Sequence, residues 1–173
     1  MKYIDINTMT GCHLYKTRCN TPDELISYLD SYNAYSAVTV HSESTVNPQK
    51  YNDEMTDIAK NSGGRIRACL SIDPMLAENS LAGTGDLANR LKTLRPSAVR
   101  LYPKTQGYPL DVFFCGHILD VLNALRIPLF IAENEMPDPR EIATAAAAYP
   151  DLPFVLLRNS FNKSFAPCHE FTP

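Results

Sequence analysis

Six short stretches of this chain end in side chains that donate, accept or carry charge. They are Asn7 and Met9; His41 and Glu43; Asp73; Arg100, Tyr102 and Lys104; Glu133, Asn134 and Glu135; and Arg158 with Asn159. Two kinds of chemistry fit these residue types. An imidazole with an ordinary pKa of about 6.5 suits proton transfer near neutrality, so His41 is a candidate acid or base, and Glu133 is the carboxylate to share that work. Arg100 and Arg158, with Lys104 beside them, can frame a pocket for a carboxylate or phosphate, because a guanidinium offers paired donors. Asn7, Arg100, Tyr102 and Arg158 are therefore the candidate substrate-binding residues. The competing account has Glu133 neutralising Arg100 or Arg158 in a buried ion pair.

Other chemistries lack support. The stretch "GTGDLANR" has no third glycine and follows a loop, so it is no dinucleotide fingerprint, and neither a P-loop nor a G-x-S-x-G elbow occurs. Ser42 and Ser44 lie near His41, but neighbours at a strand end point different ways. His117 falls on a helix boundary. Cys168-His169-Glu170 offers ligand types whose three adjacent side chains do not easily face one ion. The five cysteines form no C-x-x-C pair, which suggests reduced, structural thiols and a cytoplasmic protein. A net charge of -3 with scattered basic residues gives no footprint for nucleic acid or a membrane surface.

The elements that hold these residues read clearly. At 173 residues and 45% hydrophobic, the chain can bury one sizeable core. β-rich runs recur at "YIDI", "AVTV", "IRACLSI", "AVRLY", "LFIA" and "FVLL", a spacing of about 30 residues that matches one βαβ step. Thr21-Pro22-Asp23-Glu24 has the capping-box pattern, Asn47-Pro48 opens a second helix, and Asp138-Pro139-Arg140-Glu141 caps an alanine-rich one. Alternation on the first strand puts Asp5, Asn7 and Met9 on one face. Strands alternating with helices predict a parallel sheet, either a partial (β/α) barrel of about six strands or an open doubly wound sheet. Length alone favours the open sheet, since an eight-strand barrel takes about 250 residues.

Taken in order, "IDINTMTG", "AVTVHS", "CLSIDP", "AVRLYP", "YPLD", "IPLFIAEN" and "YPDLPFVLLRNSF" resemble the amidohydrolase-related, TIM-barrel metal-dependent hydrolase family over residues 1–164. The resemblance implies a single TIM-barrel-like domain with six of the family's eight units, followed by an irregular tail at 165–173. It also implies hydrolysis, decarboxylation or lactone opening of a small carboxylated or cyclic substrate on zinc or another divalent metal. The family's H-x-H positions on the first strand are held here by Asn7 and Met9. Its later ligand positions fall at Ala132 and Glu133, and at Leu157 and Arg158. An amide, a thioether and a guanidinium are poor or repulsive partners for zinc, so no metal and no cofactor are expected.

Two readings follow. One is an amidohydrolase-like hydrolase. The other is a catalytically silent relative that binds a small anion or is purely structural. Six strands of a barrel leave two sheet edges and an apolar inner face, so a homo-oligomer is expected, with a small-molecule ligand and neither nucleic acid nor membrane as partner.

Overall fold

Thr21 begins the first helix as its type and spacing require. Its hydroxyl accepts the Glu24 amide, and the Glu24 carboxylate accepts the Thr21 amide in return. Asn47 accepts from Lys50, and Asp111 from Phe114, in the same way. Asp138 also caps its helix, through the amide of Arg140. The Glu141 carboxylate takes no part in this cap and accepts the amide of Leu110, thirty-one residues earlier.

The computed structural model describes residues 3–11, 21–75, 84–136 and 138–158. Cys12, His13, Cys19, Cys168, His169, Asn159 and the tail at 165–173 lie outside the described residues. The elements are β1 (Tyr3–Thr10), α1 (Pro22–Ser31), β2 (Ala34–His41), α2 (Pro48–Asn61), β3 (Ile66–Ser71), α3 (Thr84–Leu94), β4 (Ala98–Leu101), α4 (Pro103–Gln106), α5 (Val112–Leu125), β5 (Leu129–Ala132), a 3-10 turn (Glu133–Glu135), α6 (Pro139–Ala148) and β6 (Phe154–Leu157). No described helix is long and apolar enough to cross a membrane.

All neighbouring strands pair in parallel, and their order in the sheet is the order in the chain, β1-β2-β3-β4-β5-β6. A doubly wound sheet reverses direction at a switch point. This sheet has no reversal, so the doubly wound alternative is excluded. Right-handed crossovers that never reverse put every helix on one face and curl the sheet with the other face inward, which makes a partial TIM-barrel-like α/β fold.

The core divides accordingly. Leu25, Leu29, Met55, Leu91, Ile118 and Leu122 from the helices pack on Ala37, Leu70, Val99, Leu101, Leu129 and Ile131 from the strands. Val38, Val40, Cys69, Ala98, Phe130, Ala132 and Leu157 form a second cluster on the inner face. Parity along each strand decides which side chain joins which core. Among the described residues β1 and β6 each pair with one strand, and Tyr3, Ile4 and Ile6 on β1 and Leu156 on β6 are exposed.

The first strand departs from strict alternation. Between Asp5 and Thr8 it carries one residue more than β2 does between Ala37 and Thr39, its pairing partners. The Asp5 carboxylate accepts the amide of Asn7 at 3.0 Å, which draws that amide out of the ladder and favours the bulge. Asp5 consequently pairs with Ala37 of the outer core, whereas Met9 pairs with Val40 of the inner cluster. The expectation that Asp5, Asn7 and Met9 share a face fails at this bulge.

Candidate functional site

Ser71, Arg100, Phe130 and Val155 are partners across β3, β4, β5 and β6, and they form one row on the inner face. Arg100 dominates that row. It is only 6% exposed, and its guanidinium lies 5.2 Å from the centre of the Tyr102 ring, within cation–π range. Nη1 donates to Asn7 Oδ1 at 3.3 Å, while Nε is buried with no partner. Among the described residues no carboxylate stands within ion-pair distance of it. A buried charge is normally paired and fully hydrogen-bonded, so this guanidinium has capacity for an acceptor that the described residues do not supply.

The neighbouring ionisable groups stay neutral. Burial pushes the Cys69 thiol up to about 12, against an opposing pull from Arg100. Burial likewise pushes the Tyr102 phenol up to about 12. Tyr102 is anchored at its backbone, where its amide donates to the Tyr108 hydroxyl.

Three predicted residues therefore meet on the inner face: Asn7, Arg100 and Tyr102. Glu133 and Arg158 sit together elsewhere, at the ends of β5 and β6, with Arg158 Nε 3.7 Å from Glu133 Oε2 and both side chains partly exposed. The ion-pair account thus applies to Arg158 and leaves Arg100 outside it. At this exposure such a pair contributes about 0–1 kcal/mol. Lys104 lies exposed on α4.

His41 is on the other side of the sheet. Val38 and Val40 belong to the inner cluster, so Ala37, Thr39 and His41 face the helices. The imidazole is 4% exposed and stacks on Tyr51 of α2, with ring centres 4.3 Å apart. Nδ1 accepts the Glu43 amide at 3.2 Å, and Nε2 lies 3.7 Å from Glu54 Oε1. His41 ends β2 and Glu133 follows β5, so β3 and β4 separate the expected acid–base pair.

Burial lowers the His41 pKa, with Glu54 and Glu43 opposing the shift and Lys50 adding to it. A depressed histidine value means that the unfolded chain binds a proton more readily. Stability is then full above the ordinary value of 6.5, falls as pH drops through the lower folded value, and levels off below it. Melting temperatures at about pH 7.5 and about pH 5 test this, and His41→Phe, which keeps the stack on Tyr51, should remove the contribution of this group.

Sequence reasoning missed Ser71. Attention fell on Asp73 two residues later, whose carboxylate serves the loop by accepting from the Met75 amide and from Gln106 Nε2. Ser71 is held from behind by Asn52 of α2, whose Nδ2 donates to the Ser71 carbonyl at 2.7 Å and whose Oδ1 accepts the Ser71 amide at 2.9 Å. Asn52→Ala leaves both backbone groups without these partners. We expect a loss of about 2–4 kcal/mol in urea unfolding.

The residues do not fit a divalent ion. Asn7 Oδ1, at the first H-x-H position, is engaged by the Arg100 guanidinium, and Met9 packs against the inner apolar cluster. No three described His, Cys, Asp or Glu side chains are grouped to hold a metal.

No protein-family model and no curated protein matches the chain. Solved structures do. The uncharacterized TIM-barrel protein of Bordetella bronchiseptica superposes with a TM-score of 0.67 at 14% identity, over 90% of this chain and 66% of its own. The probable 2-pyrone-4,6-dicarboxylic acid hydrolase of Acinetobacter baumannii, with citric acid bound, gives 0.62 at 17%, over 91% and 58%. The 5-carboxyvanillate decarboxylase of Novosphingobium aromaticivorans, complexed with manganese and 4-hydroxy-3-methoxy-5-nitrobenzoic acid, gives 0.61 at 17%, over 80% and 50%. The chain has a partial TIM-barrel fold. The fold expected from the sequence resemblance is thereby met, although this chain spans only about half to two thirds of the length of those structures.

Proposed function

We propose that this amidohydrolase-like chain binds a small organic carboxylate on the inner face of its partial barrel, held by Arg100 and lined by Asn7 and Tyr102. The observation behind this reading is the buried Arg100 guanidinium with an unpartnered Nε and no described carboxylate beside it. The apolar surroundings, Phe130 and Val40 among them, suit a carboxylate with an apolar or aromatic body better than a strongly hydrated phosphate. Two of the solved neighbours hold carboxylic acids, which supports the same class.

The test is calorimetric titration of benzoate into untagged protein, with bound zinc and manganese measured in the same preparation. Saturable binding that Arg100→Gln weakens at least about tenfold is expected. Benzoate binding absent from the wild type, or unchanged in the variant, would sink the reading.

The hydrolase reading is second. The described neighbours include a probable hydrolase and a decarboxylase, and Glu133, beside Arg158 at the strand ends, is the carboxylate such a role would use here. One metal ion per chain in the untagged preparation would bring it forward. Self-association belongs to the proposal too, since among the described strands β1 and β6 are the sheet edges and carry exposed apolar side chains. So does a cytoplasmic location, in keeping with the free, buried thiols of Cys69 and Cys115.

A further inference from the structure

We infer that Ser71 is a second anchor for the bound carboxylate, one oxygen of which accepts from Ser71 Oγ while the other accepts from Arg100 Nε. This rests on the reading of Arg100 given above and extends it to a residue on the adjacent strand. Ser71 and Arg100 are direct partners in the β3–β4 ladder, so their side chains rise side by side on the inner face. Ser71 is 1% exposed, and its Oγ has no hydrogen-bond partner. Arg100 Nε is in the same condition, and no hydrogen bond joins the two.

Buried hydroxyls are rarely left unpaired, and a serine usually has a nearby backbone carbonyl as an alternative. Here the Ser71 amide and carbonyl are both bonded to Asn52, which fixes the residue from the helix side. Other buried side-chain atoms without partners, such as those of Ser36, His117 and Asn123, are scattered through the described fold. Ser44 and Gln106 also carry such atoms and lie near each other, where Gln106 Nε2 donates to the Thr45 carbonyl, but Ser71 and Arg100 are the pair that face each other across a strand ladder.

The chemistry of the pair selects the ligand. Both atoms can donate, and adjacent strands lie about 4.8 Å apart, a span that the two oxygens of one carboxylate bridge with a hydrogen bond at each end. The fixed positive charge requires an anion, and the hydroxyl adds a donor whose value depends on that anion being present. Ser71 is thus a specificity-determining residue: it should matter for a carboxylate and hardly at all for an uncharged ligand of the same shape.

The experiment titrates benzoate, benzamide and inorganic phosphate into the wild type, Ser71→Ala, Arg100→Gln and the double variant, with melting curves to show that each is folded. Ser71→Ala should weaken benzoate about tenfold, leave any benzamide binding unchanged, and have a smaller effect in the Arg100→Gln background. Ser71→Thr, which keeps the hydroxyl, should recover most of the benzoate affinity. Equal benzoate affinity in the wild type and Ser71→Ala would overturn the role of Ser71 while leaving that of Arg100 standing. No benzoate binding to the wild type would remove the underlying reading itself. Phosphate binding more tightly than benzoate would overturn the carboxylate assignment.

Discussion

Replacing Arg100 by methionine should make the folded chain more stable, by about 1–4 kcal/mol, while abolishing benzoate binding. The two effects have opposite signs for one reason. The guanidinium has given up its water without receiving a carboxylate from the described fold, and what it has in return is one 3.3 Å hydrogen bond to Asn7 and a contact with the Tyr102 ring. Those return about 1–3 kcal/mol, less than the several kcal/mol that removal of a charge from water costs. Methionine fills a similar volume, suits the cluster of Val40, Cys69, Ala98 and Phe130, and needs no partner. Urea unfolding in the absence of ligand measures the gain. A loss of stability as large as that seen when a buried ion pair is broken would instead mean that Arg100 is already neutralised in the folded state. In saturating benzoate the order should reverse, since ligand binding stabilises only the wild type.

Gly11→Ala should be the most destabilising small substitution at the mouth of the sheet. The backbone at Gly11 has φ +102°, a region that side chains disfavour, and an added Cβ would lie 2.6 Å from both Cε1 and Nε2 of His41 and 2.9 Å from Ser42 Oγ. Backbone strain of roughly 1–3 kcal/mol and overpacking of roughly 1–3 kcal/mol together predict a loss of about 2–6 kcal/mol. The two parts can be separated. In a His41→Ala background the clash with the ring disappears while the strain remains, so Gly11→Ala should cost about half as much there. An equal cost in both backgrounds would mean that the strain acts alone. The imidazole is immobile in this comparison because it is clamped by the Tyr51 stack and the Glu43 amide.

The repeating elements were legible in the sequence because their signals are local. The capping box at Thr21 and the β-branched runs need only neighbouring residues to be recognised, and each formed where expected. What was not legible depends on parity and on partners distant in the chain. His41 ends a strand, as predicted, but which face it joins is set by whether Val40 or Thr39 points inward, and a shift of one residue inverts that choice. The Asp5 bulge alters the same count on β1. Glu141 looked like a capping-box acid and proved to be the acceptor for Leu110. Arg100 was legible as a cation at a strand end. Its lack of a carboxylate partner among the described residues, and the Ser71 hydroxyl beside it, emerge only when β3 and β4 are laid together.

The strictly sequential strand order bears on how this chain folds. Parallel sheets generally fold slowly, because partner strands are distant in the chain and a long loop must close before any pairing contact forms. Here every strand pairs with the strand next to it in the chain, so each closure spans a single crossover and the separation does not grow as the sheet widens. On a ribosome, every newly emerged strand would meet an edge that is already in place. The six described strands can thus be added to the sheet successively from β1 to β6.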